Sequence, residues 1–338
     1  MNRIIAAIAL LLAFMAAAAS ASAGVLDQVR KRGHVKCGVS PGLVGFSTLS
    51  DGDVWTGLDV DFCSALAAAV LGSRKAVRFV PVSVAERFDE LRGGNIDVLG
   101  RATTWTLGRD SDQGVRFTAP LFYDGQGLMV RRSEAVTSAL ELSGASLCVL
   151  SDTRTQQAVA GYFGGRGMPY ELVRSERWED LMRSYAGRNC IAVSADVSAL
   201  ALARSRLADA GAHTILPELI SKEPIGPYVR QGDDQWFSIV RWTVMALIED
   251  EELGVAETNA DELRHSDRPA VRRLLGVDAS LGQALGLAPD WAFQIIRQVG
   301  NYGQIFERNL GARTSLKLAR GLNELWTKGG LMYAAPVR

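Results

Sequence analysis

Residues 95–110 read NIDVLGRATTWTLGRD and place three hydroxyls, Thr103, Thr104 and Thr106, shortly before Arg109 on one polar stretch. That set suits a small carboxylate. A planar guanidinium grips both oxygens, while hydroxyls and amides take the remaining lone pairs. The same composition also fits an ordinary polar surface loop, with Arg109 paired to nearby Asp110 or Asp112. Other chemistries lack their residues. There is no nucleophile elbow, no Walker loop and no zinc spacing, and the three histidines (His34, His213 and His265) are scattered. Neither a metal nor a cofactor is expected.

The elements that must position this loop follow a strand–helix alternation. A strand at 36–39 is followed by GLDVD (57–61), which leads into an Ala-rich helix ending near Gly72. A strand at 77–81, a helix at 83–93 and a strand at 96–99 come next, and the loop follows directly. Residues 117–130 look extended and apolar, suited to a crossing strand. The order then restarts with a strand at 147–150, a helix within 151–163, a short strand at 171–173, a helix at 177–185 and a strand at 190–193 that runs into Ser194-Ala195-Asp196. Alternation of this kind implies parallel sheet with right-handed crossovers, here as two α/β lobes in sequence. The Pro-rich stretch 217–228 is a plausible return crossing. Beyond it the pattern is helical: Trp236, Ile239, Val240, Thr243, Val244 and Leu247 recur at helical spacing, with Asp233 or Asp234 as N-cap and Gly254 as stop. Asp290 is expected to cap a helix 291–309, weakened by Gly300 and Gly303, and Thr314 or Ser315 a last helix to 328. Trp236, Trp242, Trp291 and Trp326 read as packing residues.

The first residues indicate the compartment. Arg3, an apolar run at 4–19 and Ser20-Ala21-Ser22-Ala23 read as a signal peptide cut after Ala23. The apolar run is shorter than the ~20 residues a spanning helix needs. The roughly 315 remaining residues suffice for two domains. Lysines and arginines balance aspartates and glutamates at 37 each, so no basic surplus exists to hold nucleic acid or anionic lipid. In an oxidising compartment the four cysteines imply two disulfides, with three possible pairings. Cys37–Cys63 and Cys148–Cys190 are preferred because each closes within one local unit, and each contributes ~3 kcal/mol.

Several runs together resemble the solute-binding proteins of polar amino-acid ABC uptake systems (family 3), and more narrowly the general L-amino-acid-binding branch. They are GLDVDFC (57–63), ERF (86–88), TTWT (103–106), YDGQG (123–127), ISKEP (220–224), QGDDQW (231–236), QVGNYG (298–303) and KGG (328–330). The resemblance spans nearly the whole chain after residue 23. It implies a type II periplasmic binding protein: two α/β sandwich lobes joined by two crossing strands, with a helical C-terminal extension. The expected division is leader 1–23, first lobe 24–121, second lobe 122–226, and a return to the first lobe with the extension at 227–338.

Carried over by motif, the resemblance implies that Arg109 clamps an α-carboxylate with help from the Thr104 hydroxyl, and that the Ala102 carbonyl helps receive an α-ammonium. Asp196 pairs with that ammonium across the cleft, and Thr153 lies where a helix N-terminus meets the carboxylate. Asp196 also has a plainer reading, as the cap of the following helix. By position the side-chain pocket involves Ser40, Leu43, Phe46, Ser83, Val84 and Arg87, although an Arg on a helix surface is the plainer reading of Arg87. The chain departs from its relatives at 151–156, which reads SDTRTQ where they usually read SGTTTE. Asp152 replaces a glycine, and Arg154 adds a long cation that favours acidic or larger anionic ligands or points to solvent. The implied partners are an L-amino acid and the permease subunits of an ABC importer, with the protein acting as a periplasmic monomer without catalysis. Alternatives on the same fold are a cyclohexadienyl-type dehydratase, which would need a general acid such as Glu86 or Asp152, and a ligand-sensing partner of a membrane receptor.

Overall fold

The structure is a computed structural model and describes residues 24–151, 154–278 and 281–338, without the side chain of Arg154. The expected leader, Asp152, Thr153 and the Arg154 side chain therefore lie outside the described residues.

Fourteen strands were identified among the described residues. In the first lobe they are β1 (Val35–Val39), the hairpin β2 (Thr48–Leu49) and β3 (Trp55–Thr56), β4 (Val77–Pro81), β5 (Val98–Leu99) and β6 (Val115–Phe117). The chain crosses on β7 (Phe122–Asp124). It then builds β8 (Gln126–Arg131), β9 (Ser146–Leu150), β10 (Glu171–Ser175), β11 (Ala192–Asp196) and β12 (His213–Ile215), and returns on β13 (Glu223–Ile225) and β14 (Tyr228–Arg230). The two large sheets run in the orders β4-β1-β5-β14-β6 and β10-β9-β11-β8-β12. They share one plan. Three parallel strands come first, and the fourth place is taken, antiparallel, by the strand that has just crossed from the other lobe. The crossings themselves pair antiparallel, with Phe122 opposite Ile225, Tyr123 opposite Pro224 and Asp124 opposite Glu223.

Each lobe is held by the same physics. The parallel strands β1 and β9 are nearly continuous apolar runs because helices cover both faces. The helix Leu58–Leu71 is buried almost all round, which its Ala-rich sequence allows. It packs against the helices Trp291–Val299 and Asp234–Glu252. Asp233 caps the latter through its bond from the Trp236 N–H (2.8 Å) and holds the start of the helix Val25–Arg32 through the Val25 N–H (2.7 Å). Both preferred cysteine pairings are formed, with Cα–Cα separations of 6.2 Å for Cys37–Cys63 and 5.7 Å for Cys148–Cys190. Cys37 and Cys148 occupy the middle of β1 and β9, the equivalent strands of the two sheets.

Several expectations are corrected. Residues 117–130 form three strands rather than one, broken around Pro120 and at Gly125, where a Cβ would lie 2.7 Å from the Ser221 carbonyl. The helix expected from 83 starts at Arg87, and the strand expected at 96–99 is only Val98–Leu99. The helix expected over 291–309 is two, Trp291–Val299 and Tyr302–Asn309. Gly300 takes φ 92°, and Asn301 with Gln304 forms a capping box that restarts the chain. The last expected helix is irregular chain with two short 3-10 turns. Lys317 and Gly321 adopt left-handed φ (48° and 50°), which a continuous helix cannot contain. Trp326 is half exposed, its indole N–H bonded to Glu252.

Candidate functional site

The first-lobe half is built on the short helix Leu107–Asp112. Thr106 is its N-cap, and the Thr106 hydroxyl accepts the Arg109 N–H at 3.4 Å. The Arg109 guanidinium donates to the Thr104 carbonyl at 2.8 Å, and the Tyr228 hydroxyl donates to the same oxygen at 2.9 Å. Asp110 is committed elsewhere: Oδ2 accepts the Trp105 indole N–H (3.2 Å) and Oδ1 the Phe117 N–H (2.8 Å). Thr104 is buried and bridges Ile225 of β13, while the Trp105 N–H donates to the Pro224 carbonyl at 2.7 Å.

Ala102 stands just before these threonines at φ 42°, a left-handed conformation rare for a residue with a Cβ. The Asp59 carboxylate holds it there by accepting the Ala102 N–H at 2.9 Å. Burial pushes the Asp59 carboxyl up to about 7, against the opposing pull of that hydrogen bond and of Arg101. Arg101, itself pushed down by burial, donates to the Val82 carbonyl at 2.8 Å.

The second-lobe half sits at the ends of β8 and β11. Asp196 occupies the N-cap position of the helix Val197–Arg206 but makes no capping bond, so the plainer reading of this residue does not describe its contact. Its Oδ1 accepts the Gln126 amide at 2.7 Å, the two residues facing each other in the β8–β11 register. Asp124, at the end of β7, accepts the Ser198 hydroxyl (2.5 Å), the Ser198 N–H (3.4 Å) and the Gly125 N–H (2.9 Å). Burial, reinforced by the negative charge of Asp196, raises the Asp124 carboxyl to about 7. Thr153, the third second-lobe candidate with Asp196 and Arg154, lies outside the described residues.

Two of the residues expected around a side-chain pocket, Leu43 and Phe46, line one cavity together. This cavity of about 120 Å³ is lined by Leu43, Val44 and Phe46 from the first lobe and by Trp178, Ser198 and Leu202 from the second. Phe46 is fully buried and meets Phe122 edge-on at 5.3 Å. Ser40, Ser83 and Arg87 do not line this cavity. The Ser40 N–H is held by the Ser47 hydroxyl (3.0 Å), and the exposed Ser83 hydroxyl donates to Glu86 (2.7 Å). Arg87 is buried rather than on a helix surface; it donates to the Val84 carbonyl and lies 4.6 Å from the Phe88 ring centre.

The candidates Arg109, Thr104, Ala102 and Asp196 are held, directly or through a neighbour, by residues that sequence reasoning did not single out: Asp59, Asp124, Gln126, Ser198 and Tyr228. Asp59 carried a signal, as a carboxylate at the start of an apolar helix. Asp124 and Gln126 lie inside a run already singled out for its likeness. Among the described residues no cluster of three or more His, Cys, Asp or Glu suits a metal ion, and no helix is long and apolar enough to cross a membrane.

The comparisons agree in one direction. The model of the bacterial extracellular solute-binding proteins, family 3, matches residues 35–258. The chain is 49% identical over 323 residues, 95% of each chain, to the general L-amino acid-binding periplasmic protein AapJ of Rhizobium johnstonii. It is 46% identical over 322 residues, again 95% of each, to the glutamate/glutamine/aspartate/asparagine-binding protein BztA of Rhodobacter capsulatus. Among solved structures, an ABC transporter/periplasmic binding protein from Brucella ovis with glutathione bound superposes with a TM-score of 0.81 at 46% identity, covering 94% of this chain and all of that one. These relatives are named as binding proteins. With two like sheets exchanging their crossing strands, the chain has the two-lobed type II periplasmic-binding fold and belongs to the bacterial extracellular solute-binding proteins, family 3.

Proposed function

We propose that this chain is the periplasmic substrate-binding component of an ABC importer for polar L-amino acids. One observation carries the reading. A cation, Arg109, and an anion, Asp196, stand on different lobes; Arg109 is tied to the crossing strand β13 through Thr104 and its bridge to Ile225, and Asp196 is held by the Gln126 amide, two residues past the end of β7. Opposite charges so placed recognise a zwitterion, the element common to all α-amino acids. Arg109 and the Thr104 hydroxyl take the carboxylate, joined by Thr153 at the helix start. Asp196 and the Ala102 carbonyl take the ammonium. The buried Gln126 Oε1, without a partner among the described residues, offers it a further acceptor. Each charge-assisted bond contributes roughly 1.5–3 kcal/mol.

Ligand bridging both halves stabilises the closed arrangement, which hinge bending at β7 and β13 reaches and a permease then recognises. In this reading the leader is removed after Ala23, residues 24–121 with 227–338 form one lobe and 122–226 the other, and the protein works as a monomer without catalysis. Ser40, Phe46, Ser83, Arg87 and Arg154 then shape side-chain preference. The relatives' names motivate the amino-acid ligand. The Brucella ovis structure adds a second candidate, because glutathione carries the same α-amino and α-carboxylate end on its γ-glutamyl residue.

A thermal-shift screen of the twenty L-amino acids, dicarboxylates and glutathione tests the reading. Stabilisation by polar L-amino acids is expected. Stabilisation by dicarboxylates alone would overturn it, and product formation from prephenate or arogenate would establish the dehydratase alternative.

A further inference from the structure

The irregular chain after Leu310 reaches both lobes and the hinge between them. Asn323, buried in this segment, makes two hydrogen bonds to one residue of β7: its Oδ1 accepts the Tyr123 N–H at 2.7 Å and its Nδ2 donates to the Tyr123 carbonyl at 3.0 Å. A side-chain amide used this way stands in for the peptide group of a third strand. The position explains the need. Tyr123 pairs with Pro224 where both residues turn their main-chain polar groups away from each other, so the Tyr123 N–H and carbonyl face the outer edge of the ribbon, and a proline without an N–H fits opposite. On the opposite edge the Pro224 carbonyl is taken by the Trp105 N–H. Both edges of the two-stranded hinge are therefore occupied, one from the binding loop and one from the C-terminal segment.

Asn323 is itself held from the first lobe. The Arg320 Nε donates to the Asn323 carbonyl at 2.9 Å, and the Arg320 fork binds Glu251 at 3.1 and 3.0 Å, a pair nearly removed from solvent at the end of the helix Asp234–Glu252. The Tyr302 hydroxyl reaches Asn323 Oδ1 at 3.4 Å. Towards the second lobe, Arg204 donates to the Leu316 carbonyl at 3.3 Å. A cavity of about 390 Å³ lies between Leu318–Asn323 of this segment and Val197, Leu216 and Leu219.

We propose that the segment 310–325 is a third link between the lobes and that Asn323 is a positioning residue for ligand capture, clamping Tyr123 so that the next residue, Asp124, holds Ser198 beside Asp196. The clamp acts on the hinge strand, whose rigidity governs how long a closed lobe pair persists. The inference rests on the binding reading above only for its ligand arm.

The full chain after residue 23 is compared with Asn323→Ala and Asn323→Asp. In the ligand-free protein, hydrogen exchange at the Tyr123 amide is expected to accelerate about tenfold in Asn323→Ala, the equivalent of one lost hydrogen bond. Asn323→Asp, which keeps the acceptor, should show less. With L-glutamate as probe, the dissociation rate should rise about tenfold while the association rate changes far less. A purely structural role would lower the melting temperature and leave that split unmoved. Unchanged exchange at Tyr123, or faster exchange with an unchanged dissociation rate, would overturn the clamp. If Asn323→Ala does not fold, Arg320→Lys, which loosens Asn323 without touching β7, carries the same comparison. Failure of the wild type to bind L-glutamate would count against the functional reading, whereas exchange in the ligand-free chain judges the clamp independently.

Discussion

Arg109 donates to the main-chain carbonyl of Thr104 at 2.8 Å, five residues back on its own loop. The guanidinium is thereby oriented before any ligand arrives, and the Tyr228 hydroxyl steadies the same carbonyl from β14. Preorganisation of this kind lowers the ordering cost of binding. Arg109→Ala should therefore weaken every α-amino acid alike. Two charge-assisted bonds at about 1.5–3 kcal/mol each correspond to roughly 10²–10⁴-fold in Kd. Calorimetry is the measurement, and an unchanged Kd removes the carboxylate role.

Asp196 is expected to act on the other end of the ligand. Asp196→Asn keeps the shape and the contact with Gln126 but removes the charge. Amino acids should lose about tenfold or more in affinity, whereas simple carboxylates lose little. Equal losses for both ligand types would contradict the ammonium role.

Asp59 and Asp124 make stability depend on pH in a defined direction. Both carboxyls are raised by burial from the ordinary 3.8 to about 7 in the folded chain. Between those values the folded state holds protons that the unfolded state has released. The two groups therefore lower stability as pH rises from about 4 to 7, and the loss is complete above that window. Asp124→Asn carries no proton to lose. The melting temperature of this variant relative to wild type should climb across that range, and parallel curves would show that Asp124 is ionised throughout.

The disulfide Cys148–Cys190 closes a loop with a sequence separation of 42 residues and joins β9 to the chain just before β11. Replacing both cysteines by alanine should cost about 3–4 kcal/mol, read by urea denaturation. A shift well under 1 kcal/mol would mean that residual structure already restricts this loop in the unfolded chain.

Much of the fold was legible locally. The strand–helix alternation showed two α/β lobes because each strand is a short apolar run and each helix an amphipathic or Ala-rich one. Cysteine placement within single units indicated both pairings. What failed depended on distant partners. A helix over 314–328 has acceptable local propensity, yet Asn323 and Arg320 are engaged by Tyr123 and Glu251, and the backbone turns left-handed at Lys317 and Gly321 to allow it. Arg87 looked like a surface cation because its burial comes from neighbours that no local pattern announces.

The same division runs through the site. Sequence alone named the two charged candidates for ligand contact, Arg109 and Asp196, because residue type and motif context are local properties. Tertiary structure alone decided what supports them. Asp59 secures Ala102, Tyr228 and Thr104 orient Arg109, Asp124 anchors Ser198 beside Asp196, and Asn323 clamps the hinge from 200 residues away. Those roles arise only once the folded chain excludes water, since a buried carboxylate or amide must then find its partners within the protein, wherever the fold has placed them.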